Sequence, residues 1–580
     1  MEKKKKGVGI TGRKSYLSEQ INLMSFSTTD LFTDEEYELY GKILKTIADL
    51  NEDEQIRKKE KARDPTIREQ LVSQKKNLQA ELDALIASRT EPRVIRLSAV
   101  LNKKRLSHDE NHQIVYPPGI TWDTLNVSRR IAEFSSEESR GLGLKANDVT
   151  FDKIIVKWKS LDILKQIVLN GFCVPILHDD GTVETKHYRF ATASAGQLRT
   201  DKIQMLSDDA WNKLYGRLFC GLTFEEINEK GGINVNKLMA YIALASSATE
   251  EWTEFDIDRA IVIDDFEAPV SGLVDFISSD YQMTRCVKTT TIKHTDGIGM
   301  MLPCVSRRNF MVRAPWIKGL LTSFDFMRFC KETGAKPILK DIWGNYHDLV
   351  KENIQIIFTK SQFKLANFYN DWNDYKTRFK ANDCHCNRTN FEESYFPDKE
   401  ISYQMLQTLV DFTDEEIKLF CSRSYEKIKN IASSTNAMLT TLKADEDSPN
   451  PYKRALAIYP ELLREAYSRE TLKAIKKRWT LDAKSGRIIC DNKRLYLIPD
   501  MYAACEYWFL HIKEPKGLLE NGWVSCKPFR NKDKIDVLRS PHLSMEHVIE
   551  KVVKSQAIYD WFYTDGIYTS CHDLISKVLQ

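Results

Sequence analysis

The 580 residues contain no apolar run of membrane-spanning length; about 20 consecutive apolar residues are needed to cross a bilayer as a helix. The opening MEKKKKGVGITGRKSY is charged but leads into no apolar stretch, so no secretory signal is expected. A charge excess is missing too. Lys and Arg number 85 against 82 Asp and Glu, a net +3, so global charge does not announce a nucleic-acid binder. No G-x-x-x-x-G-K-[ST] phosphate cradle occurs, and the Cys and His residues form no nucleophile pattern. Twelve Cys without an export signal are expected to be reduced thiols, which points to the cytoplasm.

What is present fits a large globular protein. A mass of 67.2 kDa exceeds a single core and predicts three or four domains. Hydrophobic residues at 42% and aromatics at 10% suffice for packed cores, and mean hydropathy of −0.42 is that of an ordinary water-borne chain. Local charge is uneven. Residues 285–380 carry 17 Lys and Arg against 8 Asp and Glu, whereas residues 248–268 carry eight acids against Arg259 alone. The first region is suited to phosphate, and its neighbour is not.

Helical and β periodicities alternate along the chain. Thr33-Asp34-Glu35-Glu36 is a capping box, followed by Tyr37, Tyr40, Leu44 and Ile47 at helical spacing. A second helix is predicted from Asp64-Pro65, its stripe of Ile67, Leu71, Leu78, Leu82 and Leu85 serving either a short coiled-coil arm or packing onto the body. Between residues 92 and 275, short β runs at Val94–Leu97, Ile154–Trp158 and Val174–Leu177 mix with helices at Leu161–Leu169 and Leu238–Ala245. His178-Asp179-Asp180-Gly181 reads as a hairpin turn. Residues 276–370 read as β-rich, with runs at Arg285–Lys293, Phe310–Val312 and Ile354–Phe358. A second capping box at Thr413-Asp414-Glu415-Glu416 opens a helical stretch, Lys443–Pro451 reads as a surface loop, Leu472–Trp479 as a basic helix, and β pattern is expected from Arg487 onward.

Several motifs then stand in order: YRFATASAGQLRTDK at 188–202, LMAYIALASSATEEW at 238–252, RAIVIDDFE after it, HTDGIGMMLP at 294–303, Val312-Arg313 and Trp316-Ile317-Lys318-Gly319, TKSQFKL at 359–365, and DVLRSPHLSMEH at 536–547. This ordered set resembles the cellular RNA-dependent RNA polymerases of RNA silencing and the related single-chain two-barrel polymerases of bacterial phages. The resemblance covers roughly residues 185–580, with Lys360 where the family's segment begins with arginine. It implies an α+β fold: a basic tail and helical arm in residues 1–91, an α/β region in 92–275, a double-psi β-barrel in 276–380, a helical connector in 381–480, and the beginning of a second double-psi barrel in 481–580. In the family a D-x-D-G-D loop follows DVLRSPHLSMEH, and no such motif occurs in the sequence. The expectation is therefore a second barrel that stops before its metal-binding loop.

The resemblance also assigns roles. Lys318 and Lys364 are implied as fixed catalytic cations against the nucleotide phosphates or nascent 3′ end, with Gly319 allowing close backbone approach. Arg539, with Pro541 and His542, matches the segment that contacts the nucleotide sugar, and Arg313 and Lys360 join it as substrate-binding residues. Asp296 of the TDG turn either acts in catalysis or serves the turn. Phe310, Trp316, Phe363 and Phe368 are candidate stacking faces for bases. Implied partners are an RNA or single-stranded nucleic-acid template and nucleoside triphosphates, with a second polypeptide completing barrel two and no membrane partner; magnesium is expected only with the D-x-D-G-D loop. The alternatives are a split polymerase and a binding protein that has discarded catalysis. Asp256, Asp258, Asp264 and Asp265 lack the Gly-Asp that would wrap a metal, and Cys384-His385-Cys386 lacks the second spaced pair of a zinc site.

Overall fold

The computed structural model describes residues 23–59, 65–91, 93–94, 153–177, 183–244, 249–393, 395–396, 400–401, 406, 411–448, 450–538 and 548–574. These form two compact units: residues up to 253 with 313–315 and 377–387, and residues 254–312, 316–376 and 388 onward.

The first unit is built on a six-stranded sheet of β1 (Leu23–Ser27), β2 (Arg93–Val94), β3 (Lys153–Lys157), β4 (Phe172–Leu177), β5 (Val183–Thr192) and β6 (Lys202–Ser207), in the order β1-β3-β6-β5-β4-β2. β4 and β5 are antiparallel, with Leu177 opposite Val183, as expected for a hairpin whose turn residues 178–182 lie outside the described set. The first capping box is made: Thr33 Oγ1 accepts from Glu36 N at 3.2 Å, and Glu36 Oε2 accepts from Thr33 N at 2.8 Å. The same Glu36 carboxylate pairs with the fully buried Arg93, which also donates to Gln166 Oε1 at 2.8 Å. A cap legible in sequence is thus also the counterion that lets an arginine sit in a core. The helix Pro65–Ser88 packs onto the body through Leu82 and Ile86 rather than standing off as an arm, while Ile67 near its start stays exposed. The short strand β7 (Glu250–Glu251) leads to Trp252, whose amide donates to Cys386 O at 3.2 Å.

The second unit begins with β8 (Ala260–Ile263), which the sequence left in the preceding α/β region. A two-stranded ribbon follows, β9 (Glu267–Ile277) against β10 (Met283–Lys293), and then β11 (Ile298–Met301), β12 (Phe310–Ala314), β13 (Ile317–Ser323), the small hairpin β14 (Ile338–Lys340) and β15 (Tyr346–Asp348), β16 (Ile356–Thr359) and β17 (Asn387–Thr389). The second capping box holds: Glu416 N donates to Thr413 Oγ1 at 3.3 Å and Thr413 N to Glu416 Oε2 at 2.9 Å. It opens the helix Asp414–Lys429, and the helices through Ala466–Lys484 bury Ile431, Leu442, Leu456, Leu463 and Leu472 together. A further sheet comprises β18 (Leu497–Pro499), β19 (Trp523–Ser525), β20 (Lys534–Val537), β21 (Val548–Val552) and β22 (Ile567–Thr569). Between β18 and β19, where the sequence predicts continued β pattern, Met501–Leu510 is a helix.

The two sheets of this unit are connected alike. One runs β12-β13-β11-β16-β8, the other β20-β21-β19-β22-β18. β8 and β16 are parallel, β16 and β11 antiparallel, β11 and β13 parallel; β18 and β22, β22 and β19, β19 and β21 repeat those directions. A helix follows the fourth strand of each, Phe326–Thr333 after β13 and Gln556–Trp561 after β21. The sheets share one core, in which Ile261, Met300, Phe324 and Phe329 meet Met501, Cys505, Trp508 and Phe562.

Two buried acids mark the second sheet. Asp500 follows β18 and accepts four amides: Tyr502 N and Ala503 N as the helix cap, and Leu518 N and Leu519 N from the loop before β19, at 2.6–3.0 Å. Burial nevertheless pushes it up to about 6. Glu550 on β21 is 4% exposed, its Oε2 has no hydrogen-bond partner among the described residues, and burial beside Asp573 pushes it up to about 7. A carboxyl whose folded pKa is raised favours folding less as pH climbs from its unfolded value, near 4.5, through about 7. Glu550→Gln should therefore be close to neutral at pH 4.5 and more stable than wild type above pH 7, by up to about 3 kcal/mol. Denaturant midpoints of the two proteins at a series of pH values will show this divergence, and parallel pH profiles would contradict it.

Candidate functional site

Four segments of the second unit meet at one end of the first sheet: Asp264–Phe266 past β8, the turn His294–Gly297 before β11, Ile317–Leu320 of β13, and Thr359–Lys364 past β16. The centre is Asp265, 4% exposed. Its Oδ2 accepts from Ser361 N at 3.0 Å and its Oδ1 from Ser361 Oγ at 2.5 Å. Ser361 Oγ in turn accepts from Gly297 N at 2.7 Å, and Thr295 Oγ1 accepts from Phe266 N at 2.8 Å. One buried carboxylate therefore fixes the TDG turn to the Lys360–Lys364 segment. Burial raises the Asp265 pKa against the opposing pull of Ser361 and of Lys293, whose Nζ lies 3.7 Å away.

Gln362, fully buried, forms the second joint. Its Oε1 accepts from Thr359 N at 3.1 Å and its Nε2 donates to Leu320 O at 2.9 Å. Gly319, at φ +153, lies over this amide: an added Cβ would come within 2.3 Å of Gly297 O and 2.6 Å of Gln362 Nε2. The close approach that glycine allows here is between protein backbones.

These joints set the two lysines. Lys318 N donates to Gln362 O at 3.1 Å, Lys364 N donates to Trp316 O at 2.8 Å, and Ile317 and Phe363 form an antiparallel bridge between them. Alternation puts Lys318 and Lys364 on the face opposite the buried Ile317–Phe363 pair, a diagonal whose Cβ atoms are ~7–8 Å apart in such bridges. Both lysines are half-buried, and Lys364 Nζ reaches Ser361 O. Lys360 pairs with Asp264 at 3.5 Å, both side chains more than half exposed, a contact worth little in energy. Asp296 is exposed at the TDG turn, and the hydrogen bonds that hold the turn come from Thr295, Ser361 and Asp265. His294 beside it is buried, stacks on Phe266 at 4.8 Å, and is pushed down to about 4 by burial and by His572, so it is neutral at pH 7. Arg313 is half-buried in β12. Arg539 and His542 lie outside the described residues.

The stacking faces are corrected. Phe310, Trp316 and Phe363 are 0%, 5% and 2% exposed, so they offer no face to a base. Phe363 packs edge-on to Tyr375 at 4.7 Å and Trp372 at 5.9 Å, and Phe310 lies 5.4 Å from Phe391. Phe368 is half-buried. Aromatics at this spacing serve the core first.

The remaining acids and thiols are structural. Asp256 accepts from Asp258 N at 2.9 Å and pairs with Arg259, and Asp258 pairs with Lys376 at 3.7 Å. Cys384 is buried, and its hydrogen bond with Cys220 and its burial push its pKa up, away from the thiolate that zinc requires. Among the described residues, no three His, Cys, Asp or Glu side chains converge to hold a metal ion. Magnesium thus has no fitting ligand set among them.

Reading the sequence by motif missed Asp265, Ser361 and Gln362 as the parts that hold the site. The available signal was Ser361 and Gln362 within TKSQFKL, flanked by the two lysines. Gly319→Ala should lower the stability of this unit by at least about 2 kcal/mol, because the clashing atoms belong to backbone and to a buried amide rather than to a flexible tip. Thermal unfolding measures it, and an unchanged midpoint would contradict the geometry.

No protein-family profile matches the chain. Over 575 residues it is 38% identical to the DNA-directed RNA polymerase YonO of Bacillus phage SPbeta, a match that takes in 98% of this chain and 64% of that polymerase. The chain thus spans just under two thirds of the length of the phage relative it resembles.

Proposed function

We propose that the chain is the part of a DNA-templated RNA polymerase of two-barrel type that grips nucleic acid and nucleotide. The observation that carries this reading is the 38% identity sustained across 98% of the chain. The repeated connectivity of the two sheets agrees with a pair of related barrels. Lys318 and Lys364 are the fixed cations: they project from segments locked by Asp265, Ser361 and Gln362, so little reorganisation is needed when negative charge develops between nucleotide phosphates. Lys360, Arg313, Arg539 and His542 are proposed to contact substrate, and Asp296 to flank the phosphate site. The carboxylates for magnesium come from a D-x-D-G-D segment outside these 580 residues. The template choice follows the relative, which is named for a DNA template.

Two measurements test this. With Phe310, Trp316 and Phe363 buried, single-stranded nucleic acid should bind mainly through charge, and log affinity should fall with log salt at a slope of roughly −3 if about four phosphates are neutralised. Salt-independent binding would count against a polymerase cleft. The purified chain alone should polymerise nothing, and addition of the part of the SPbeta polymerase that it does not match, as a separate polypeptide, should restore synthesis. In that assembly Lys318→Ala or Lys364→Ala should lower turnover roughly 10²–10³-fold, and full activity in both variants would remove them from the site.

A further inference from the structure

One face of the second sheet carries positive charge that the Lys318–Lys364 site does not use. Residues 527–534, KPFRNKDK, hold four Lys and Arg against one acid, and Lys551 and Lys554 follow at and just past the end of β21. β20 and β21 are antiparallel, and their register sets Lys534 directly opposite Lys551. Lys551 is level in turn with Trp523 of β19. Residues level in register share a face of the sheet. That face is the outer one: Lys534 and Lys551 are exposed, whereas Glu550 and Val552, which alternate with Lys551, are buried. Residues 539–547, outside the described set, join the two strands at the other end of the ladder, past Val537 and Val548.

Like charges directly opposite each other on paired strands, with Cβ atoms ~5 Å apart, repel and weaken the sheet. An acid alongside would remove the repulsion. Among the described residues Lys534 has no ion pair or hydrogen bond from its side chain, and Lys551 Nζ has only the Trp523 ring, 5.7 Å away. The acid of the adjoining turn is engaged by backbone: Asp533 Oδ2 accepts from Arg530 N at 2.7 Å. The turn itself is tied to β21, since Lys532 N donates to Val552 O and Val552 N to Asp533 O, both at 2.8 Å. It therefore holds Arg530 and Lys532, both exposed and without an ion pair among the described residues, at the end of the strand that carries Lys551. Lys527 and Lys554 are engaged locally: Lys527 pairs with Asp565, and Lys554 Nζ donates to Lys527 O at 3.2 Å. Four cations remain uncompensated.

We propose that Arg530, Lys532, Lys534 and Lys551 bind the phosphodiester backbone of a nucleic-acid strand, as a contact additional to the Lys318–Lys364 site. This deepens the polymerase reading and rests on it. A phosphate between the two opposed ammonium groups turns one repulsion into two attractions, and the Arg530 fork suits a neighbouring phosphate. Contacts to backbone alone position a strand without reading its bases, which lets the strand slide as synthesis moves along it.

The test measures binding of the full chain to a labelled single-stranded oligonucleotide, as DNA and as RNA of one base sequence, over a series of salt concentrations. Lys534→Gln and Lys551→Gln together should weaken low-salt binding about tenfold and make the slope of log affinity against log salt shallower by about 1.4, since each phosphate contact contributes ~0.7 for single strands. The strand type that shows the larger loss is the one this face holds. In the free protein at low salt the same double variant should melt no lower than wild type, because a repulsion has been removed. Affinity for a nucleoside triphosphate should be unchanged. Arg530→Gln with Lys532→Gln repeats the test at independent positions and should flatten the slope likewise, which keeps the proposal testable if the first variant folds poorly. Wild-type affinity and slope in both double variants, with DNA and with RNA, would overturn the proposal and leave the polymerase reading standing. Absence of any binding by the wild-type chain would count against both. Displacement of the oligonucleotide by polyglutamate as effectively, charge for charge, as by unlabelled oligonucleotide would assign the face to an acidic polypeptide and overturn the nucleic-acid proposal.

Discussion

A buried carboxylate set just past the first strand of a sheet governs the geometry on which everything else depends. Asp265, two residues after β8, holds the TDG turn and the Lys360–Lys364 segment together through Ser361. Asp500, one residue after β18, binds the loop before β19 to the start of a helix. In each sheet the backbone also ties the ends of the same two parallel strands: Lys360 N donates to Ile263 O, and Asp500 N to Thr569 O, both at 2.9 Å. A charge taken out of water is costly unless several donors surround it. Each acid therefore fixes its loops firmly, because releasing any one donor leaves the carboxylate short of partners.

Rigidity of this kind is what a phosphate-handling site requires. A lysine side chain alone is a flexible point charge with much rotamer freedom. Here the two candidate lysines leave a backbone that is bridged at Ile317–Phe363 and buttressed underneath by the Gln362 amide, with Gly319 permitting the contact. The aromatic residues that sequence offered as base platforms form the floor beneath: Phe363, Trp372 and Tyr375 stack and cross within 6 Å of one another. Buried as they are, these rings pack beneath the bridge between the segments that carry Lys318 and Lys364.

Much of the local architecture was legible. Both capping boxes are formed, and the β runs at Arg285–Lys293, Phe310–Val312 and Ile354–Phe358 fall on β10, β12 and β16, because caps and short β-branched or apolar runs carry their signals in neighbouring residues. Met501–Leu510 was not legible. Six of its ten residues are buried, all round the helix, so MYAACEYWFL has no polar face and no period to detect. Asp265 read as surface charge because its burial depends on Ser361, 96 residues away, and on a turn at 295–297. The repeat of the two sheets is carried by strand order and direction, and the sequence pointed to it only through motifs that resemble a two-barrel family.

The central claim is that Asp265 presents Lys318 and Lys364 as one preorganised phosphate receptor. Affinity for a non-hydrolysable nucleoside triphosphate, compared by calorimetry among wild type, Lys318→Ala, Lys364→Ala and Asp265→Asn, tests it most directly. The account predicts that Asp265→Asn, which leaves both lysines in the sequence but loosens their loops, weakens triphosphate binding as much as removing either lysine does, while affinity for the bare nucleoside changes little. A folded Asp265→Asn protein that binds the triphosphate like wild type would contradict it.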